Sequence, residues 1–231
     1  APLDVQEGFG LIAEIKFSAP SVGTLETNAD PIAAAIERAC HYEAAGAVAI
    51  SVLTEPTRFG GSMEHLSAVA DAVRIPVMRK DFLVDPSQVL EARAYGAAGV
   101  LLILRMLDDA RLDQMCGLAE ELGMFVLLEA FDQEDLALTH RHPNALVGLN
   151  SRNLATLDVE SSRFETLVSA FPHGVRKVAE SGLGDVEDIQ RVARLGYELA
   201  LVGSALMRAK DPANMVSEMT AAGREASCTF T

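Results

Sequence analysis

Charged side chains stand directly after short apolar runs at several points along this sequence. They are Glu14, Lys16, Lys80, Asp81, Glu129, Arg152 and Glu180. A single Lys or Glu in such a place is explained equally well by contact with solvent. Gathering all seven at one place is costly unless the charges are paired and used. If the fold brings them together, we therefore expect them to form a working site.

Two pairs of small residues suggest where an anion would bind. Ser181-Gly182 and Gly203-Ser204 follow the last two apolar runs and offer free backbone N–H groups where a short helix can begin. Glycine and serine pairs alone usually mark a tight turn, but at these positions of a barrel they favour a phosphate site. Lys16 can add a countercharge. We predict a phosphorylated small molecule as the partner.

Eight apolar runs have the length of buried parallel strands and provide the elements that position these residues. The predicted strands are Leu11–Ile15, Ala47–Val52, Pro76–Arg79, Gly99–Ile103, Phe125–Glu129, Leu146–Leu149, Arg176–Glu180 and Leu199–Val202. Segments with helical periodicity alternate with them. The predicted helices are Pro31–Ala45, Met63–Val73, Pro86–Tyr95, Asp109–Leu122, Gln133–His140, Ser161–Phe171, Val186–Leu195 and Asn214–Ala226.

Strict alternation of strand and helix predicts an α/β fold, a closed (β/α)₈ TIM barrel formed as a single domain by residues 1–231. The competing architecture is a doubly wound open sheet, which needs a glycine fingerprint after its first strand to bind a dinucleotide. Gly8-Phe-Gly10 precedes the first strand instead. The barrel is favoured, and with it a site at the carboxyl ends of the strands.

Composition excludes several classes of function. The formal net charge of −14 opposes binding to nucleic acid or to an anionic membrane. Cys40, Cys116 and Cys228 are odd in number and lack metal-ligand spacing, so we expect neither disulfides nor a metal site. Without a leader or a long apolar run, the sequence predicts a cytoplasmic protein. As for oligomeric state, we expect a monomer or weak homo-oligomer.

The strand-end motifs resemble those of the indole-3-glycerol-phosphate synthase family of tryptophan biosynthesis. They are Glu14-Ile-Lys16, Arg79-Lys-Asp-Phe82, Leu127-Leu-Glu129, Gly148-Leu-Asn-Ser-Arg-Asn-Leu154, Glu180-Ser-Gly182 and Gly203-Ser-Ala-Leu-Met207. The resemblance implies a lyase that closes an indole ring on 1-(2-carboxyphenylamino)-1-deoxyribulose 5-phosphate, releasing carbon dioxide and water without a cofactor.

The resemblance also implies roles for individual residues. Lys80 corresponds to the general acid of ring closure, Glu129 to the base of dehydration, and Lys16 to an aid in anion binding and proton transfer. The residues that orient the reacting groups, the sugar hydroxyls and the substrate carboxylate are Glu14, Asn150, Arg152, Glu180 and Ser181. Gly182, Gly203 and Ser204 form the phosphate cradle. The apolar wall around the anthranilate ring consists of Phe59, Phe82, Leu101, Ile103 and Leu154.

Three departures from the family pattern bear on the substrate. Only thirteen residues precede Glu14, so we expect the family's N-terminal extension to be absent. Ala19 stands where a serine is usual, and Ala130-Phe131 where Val-His is usual. Two alternatives stay open: a paralogous cyclase acting on another anthranilate-like or indolic compound, and a barrel that binds a phosphate ligand without catalysis.

Overall fold

The structure, a computed structural model, describes residues 3, 8–20, 23–25, 29–153 and 156–228. Eight parallel strands close into a barrel, as predicted. We number them β1 to β8: Gly10–Ile15, Ala49–Leu53, Val77–Lys80, Gly99–Ile103, Phe125–Ala130, Leu146–Asn150, Arg176–Glu180 and Leu199–Val202. Each predicted strand is confirmed to within two residues at either end.

The strand register decides which side chains meet at the carboxyl rim. β1 pairs with β8 and closes the ring, with Gly10 opposite Leu199. On the far side, Glu129 of β5 stands opposite Gly148 of β6, and Asn150 of β6 opposite Glu180 of β7. Because all eight strands run in one direction, every residue that follows a strand lies at the same end of the barrel.

Helices cover the outside of the barrel between successive strands. The main ones are Pro31–Ala44, Met63–Ala72, Pro86–Ala94, Asp109–Glu121, Gln133–Leu138, Arg163–Leu167, Val186–Arg194 and Pro212–Ser227. Additional short elements decorate the rim. They are the hairpin Ser18–Ala19 with Gly23–Thr24, the helices Pro56–Phe59 and Ser204–Arg208, and the 3-10 turns Leu104–Met106, Thr139–Arg141 and Val168–Ala170.

Two helices are shorter than the periodicity predicts. The segment predicted over Ser161–Phe171 is α-helical only over Arg163–Leu167 and ends in a 3-10 turn. Its first residues lack a capping side chain, and Pro172 holds Phe171 extended. Likewise, the α-helix predicted to reach His140 ends at Leu138, and a 3-10 turn over Thr139–Arg141 leads towards Pro143.

The apolar residues form two cores. The larger one packs the outward strand faces against the helices. The smaller one fills the barrel interior and includes Ile12, Met78, Leu127 and Leu199. Leu3 joins the interior cluster, and its carbonyl accepts a hydrogen bond from Arg176 Nη1 at 2.7 Å. Among the residues described, no helix combines the length and apolarity needed to span a bilayer.

Candidate active site

A cavity of about 530 Å³ opens at the carboxyl rim of the barrel. It collects fifteen of the sixteen site residues predicted from the sequence: Glu14, Lys16, Phe59, Lys80, Phe82, Leu101, Ile103, Glu129, Asn150, Arg152, Glu180, Ser181, Gly182, Gly203 and Ser204. The remaining residue, Leu154, lies outside the described residues. The convergence expected from strand order is therefore present in the structure.

Lys80 is held between two carboxylates near the centre of this cavity. Its Nζ donates a hydrogen bond to Glu129 Oε2 at 2.8 Å and lies 3.6 Å from Glu180 Oε2. Burial disfavours the cation, but Glu129, Glu180 and Glu14 outweigh it and raise the pKa of Lys80 above its ordinary value. Asn150 Nδ2 donates to the other oxygen of Glu129 at 3.1 Å. Lys80 is thus a stable cation, and Glu129 is oriented from both sides.

Glu180 is the most unusual group of the site. It is 1% exposed, and neither carboxyl oxygen has a hydrogen-bond partner in the described part of the chain. Burial first, and then the negative charge of Glu129, raise the pKa of Glu180 well above its usual range, although Lys80 opposes the rise. Gly148 makes room for it, since a Cβ there would lie 2.0 Å from Glu180 Oε1.

A second ion pair occupies the opposite side of the barrel. Lys16 Nζ lies 2.6 Å from Glu14 Oε1. Gly203 lies against both groups, because a Cβ at that position would come within 2.1 Å of Glu14 Oε1 and 3.0 Å of Lys16 Nζ. A side chain at residue 203 would therefore displace the pair. The absence of one leaves a cation beside the backbone predicted to bind phosphate.

The turn after β7 has a constrained backbone. Ser181 has a φ of 69°, in the left-handed region that costs a non-glycine residue of order 1–3 kcal/mol. Ser151 Oγ donates to the Ser181 carbonyl at 3.0 Å and holds the turn. Gly182 follows with a φ of 70°, and a Cβ there would lie 2.4 Å from Val159. These contacts keep the amides at residues 181 and 182 on the cavity surface.

Arg152 and Asp81 have partners that their sequence positions did not reveal. Arg152 Nη1 donates to the Leu157 carbonyl at 2.7 Å, so this guanidinium also holds the loop after β6. Asp81 accepts hydrogen bonds from Thr54 at 2.6 Å and from the buried Arg79 at 3.1 Å. Asp81 thus braces the loop after β3 and also lines the cavity, as the other six charged residues do.

The wall on the β2 to β4 side is apolar and aromatic. Phe59 and Phe82 have ring centroids 6.4 Å apart, and Leu101 and Ile103 line the cavity below them. Several further residues line the cavity although the strand-end motifs did not indicate them. They include Leu53, Arg58, Leu157, Val159, Leu183, Leu201 and Arg208. Arg58 stands directly before Phe59, a residue that the family resemblance singles out, and this neighbour was the available signal for it.

No cluster of His, Cys, Asp and Glu within the described ranges has the geometry of a metal site.

Comparison with known proteins identifies close relatives in sequence. The model of the family described as "Indole-3-glycerol phosphate synthase" matches residues 3–219. A protein of that name from Parafrankia sp. (strain EAN1pec) is 47% identical over 92% of this chain and 78% of its own length. Another of that name, from Mycobacterium avium (strain 104), is 43% identical over 98% of this chain and 84% of its own length.

Solved structures confirm the fold. The 3-hexulose-6-phosphate synthase from Salmonella typhimurium superposes with a TM-score of 0.74 at 14% identity, covering 96% of this chain and all of that chain. A thiamine phosphate pyrophosphorylase from Pyrococcus furiosus gives 0.68 at 16% identity, covering 94% and 96%. At these identities the likeness shows only that the fold is shared, and the chemistry must be argued from the residues of the site.

Proposed function

The chain belongs to the indole-3-glycerol phosphate synthase family, and from this we propose that it closes the indole ring of 1-(2-carboxyphenylamino)-1-deoxyribulose 5-phosphate. In this reaction the ring carbon that bears the carboxylate attacks the ketone carbon of the sugar chain. Loss of carbon dioxide restores the aromatic ring, and loss of the former ketone oxygen as water completes the indole. The enzyme is a decarboxylating carbon–carbon lyase.

The observation that carries the proposal is the Lys80–Glu129 pair at the centre of the cavity. Attack on a ketone builds negative charge on its oxygen, and a fixed ammonium group stabilises that charge and supplies a proton. Lys80 serves as this acid. Dehydration later needs a base. Glu129, oriented by Asn150, accepts the proton that the ring-closed intermediate loses as water departs.

The phosphate of the substrate binds at the turns after β7 and β8. Gly182, Gly203 and Ser204 supply backbone amides, and Lys16 supplies the countercharge beside Gly203. Glu14 Oε1 lies 2.6 Å from Lys16 Nζ and holds the ammonium group in this position. Lys16 also assists proton transfer during turnover. A cation beside the cradle also offsets the repulsion that a dianion meets in a chain of charge −14.

The remaining predicted residues hold the other parts of the substrate. Arg152, Glu180 and Ser181 contact the sugar hydroxyls and the carboxylate. The anthranilate ring packs against the apolar wall, to which Phe59, Phe82, Leu101 and Ile103 contribute. Because rearomatisation drives the decarboxylation, the proposed mechanism uses no cofactor or metal.

The setting in which the enzyme works is part of the same proposal. We assign residues 1–231 to one barrel domain that acts in the cytoplasm as a monomer or weak homo-oligomer. The charge of −14 supports the absence of nucleic-acid and anionic-membrane partners, since both would be repelled.

A direct assay tests the proposed function. The purified protein is mixed with 1-(2-carboxyphenylamino)-1-deoxyribulose 5-phosphate, and indole fluorescence is followed together with release of carbon dioxide. We expect both products in equal amounts. Release of neither product, while another anthranilate-like compound is converted, would identify a paralogous cyclase; binding of phosphate ligands with no conversion would identify a binding barrel.

A further inference from the structure

Arg58 is a cation at the cavity rim for which the described residues provide no hydrogen bond or ion pair through its guanidinium. Its guanidinium carbon lies 6.0 Å from the centroid of the Phe82 ring. The residue is exposed and lines both the active-site cavity and a second pocket, which shares Ala19, Pro20 and Leu157 with it. In a chain of net charge −14, a cation that faces the substrate cavity and has no carboxylate partner among the described residues invites an anionic ligand.

The backbone that presents Arg58 is rigidly built. Glu55 caps the short helix Pro56–Phe59, and its carboxylate accepts hydrogen bonds from the amides of Thr57, Arg58 and Phe59. Gly61 closes the turn against β2, where a Cβ would lie 2.2 Å from the Leu53 carbonyl oxygen. Because the helix is held at both ends, the backbone of Arg58 is fixed beside the aromatic wall, and its guanidinium carbon lies within 6.0 Å of the Phe82 ring centroid.

The position of Arg58 around the barrel indicates which part of the substrate it meets. Phe82 follows β3, which lies diametrically opposite β7 in the ring of eight strands. If the phosphate occupies the turns after β7 and β8, the other end of the sugar chain points towards Phe82. The substrate carries its carboxyphenyl group at that other end, and a carboxylate on a ring packed against Phe82 would face Arg58.

We propose that Arg58 is a second contact, besides Arg152, for the carboxylate of the substrate's aromatic ring, and that it selects for carboxyphenyl over unsubstituted phenyl substrates. This inference rests on the proposed function. A planar guanidinium matches a carboxylate through paired hydrogen bonds. Arg58 is exposed, and this suits a partner carboxylate that must later leave as carbon dioxide. A deeply buried pair would stabilise the carboxylate in the ground state and oppose its loss.

The test compares two substrate analogues that cannot react. The first is the substrate with its ketone reduced to an alcohol, and the second is the same compound without the carboxyl group. Binding of both is measured by calorimetry with the wild type, Arg58→Gln, Arg58→Lys and Arg152→Gln. The matched control is Arg194→Gln, which removes the same charge from an exposed residue that does not line the cavity.

Arg58→Gln should weaken binding of the carboxylate analogue by about five- to tenfold, the range for a charge-assisted bond at a partly exposed site. Binding of the analogue without the carboxyl group should stay within about twofold, and Arg58→Lys should restore part of the loss. In turnover, KM should rise by the same factor while kcat changes less, because the contact precedes the chemical step.

Equal losses for both analogues, or none for either, would overturn the assignment, as would a carboxylate preference that only Arg152→Gln abolishes. These results differ from failure of the proposed function. In that case the wild type itself would neither bind the carboxylate analogue nor convert the substrate, and the inference about Arg58 would fall with it.

Discussion

At the scale of single residues, the site is organised by how charge is distributed among its buried groups. Glu14, Glu129 and Glu180 are each 3% exposed or less, and all three raise the pKa of Lys80. A lysine in this environment keeps its proton until a developing oxyanion competes for it. The pairing therefore suits an acid that acts only when the substrate is in place.

Replacement of Lys80 tests this role. Lys80→Met should lower kcat by about 10²–10⁴-fold, the usual contribution of a general acid, while the reduced substrate analogue still binds. Glu129→Gln should be comparably damaging and should let an intermediate that precedes dehydration accumulate. Steady-state kinetics and rapid quenching measure both effects, with Lys210→Met as an exposed control. A Lys80→Met enzyme that retained more than about a tenth of the activity would exclude Lys80 as the essential acid.

The raised pKa of Glu180 predicts a dependence of stability on pH. With a raised pKa, Glu180 in the folded protein keeps its proton to a higher pH than in the unfolded chain, where the ordinary pKa is 4.5. The stabilisation from this proton is complete below that pH and is lost as the pH rises through the folded-state pKa. Glu180→Gln removes the titration, so its free energy of unfolding relative to wild type should increase as the pH rises above about 4.5 and through the raised folded-state pKa.

Urea unfolding at several pH values measures this difference. Glu198→Gln, at an exposed carboxylate outside the cavity, is the matched control for the replacement of a carboxyl group by an amide. Parallel pH curves for the wild type and Glu180→Gln would contradict the assignment of a bound proton to Glu180.

At the scale of elements, the strands do more than carry the reactive groups, because their small residues create the space those groups occupy. Gly148 of β6 leaves room for Glu180 of β7, and Gly203 after β8 leaves room for the Glu14–Lys16 pair of β1. In both cases a glycine in one strand, or directly after it, accommodates an ionisable side chain from the neighbouring strand. The geometry of the site therefore depends on pairs of adjacent strands.

Gly148→Ala should disturb activity through Glu180. The added Cβ would lie 2.0 Å from Glu180 Oε1, so the carboxyl must move, and overpacking of this kind costs about 1–3 kcal/mol. We expect kcat to fall by more than this loss of stability explains. The control is Gly117→Ala, at a helical position where a Cβ meets nothing within 4 Å. That variant should be more stable by about 0.5–1 kcal/mol and fully active. Unchanged kcat in folded Gly148→Ala would show that the position of Glu180 is unimportant.

At the scale of the whole molecule, the barrel separates stability from function along its axis. The amino-terminal ends of the strands are filled by apolar side chains such as Leu199, which packs into the space left by Gly10. The carboxyl ends hold the charged cavity. Leu199 and Leu201 lie on the same strand and both point into the barrel, but only Leu201 lines the cavity.

This pair gives a direct test of the separation. Leu199→Ala and Leu201→Ala should each lower the free energy of unfolding by about 2–5 kcal/mol, since both side chains are buried. Only Leu201→Ala should also raise KM, because it removes part of the cavity wall. Thermal unfolding and steady-state kinetics at a temperature where both variants are folded measure the two effects. A raised KM in Leu199→Ala would mean that the two ends of the barrel are coupled.

The sequence by itself determined the order of the elements and the types of residue at the strand ends. Runs such as Gly99–Ile103 and Phe125–Glu129 consist of consecutive apolar residues. This pattern depends only on neighbours along the chain, so the strands were predicted to within two residues. Parallel strands have their carboxyl ends at one rim, which made the convergence of Lys80, Glu129 and Glu180 predictable as well. The motif resemblance then indicated the chemistry.

Only the tertiary structure decided which of these groups touch. Lys80 and Glu129 are 49 positions apart, and their contact depends on strand register and side-chain rotamers. The same is true of Asp81, which binds Arg79 and Thr54, and of Arg58, which a short helix carries over Phe82. Local patterns specify which residues reach the rim, whereas partners distant in sequence determine where each side chain points once it is there.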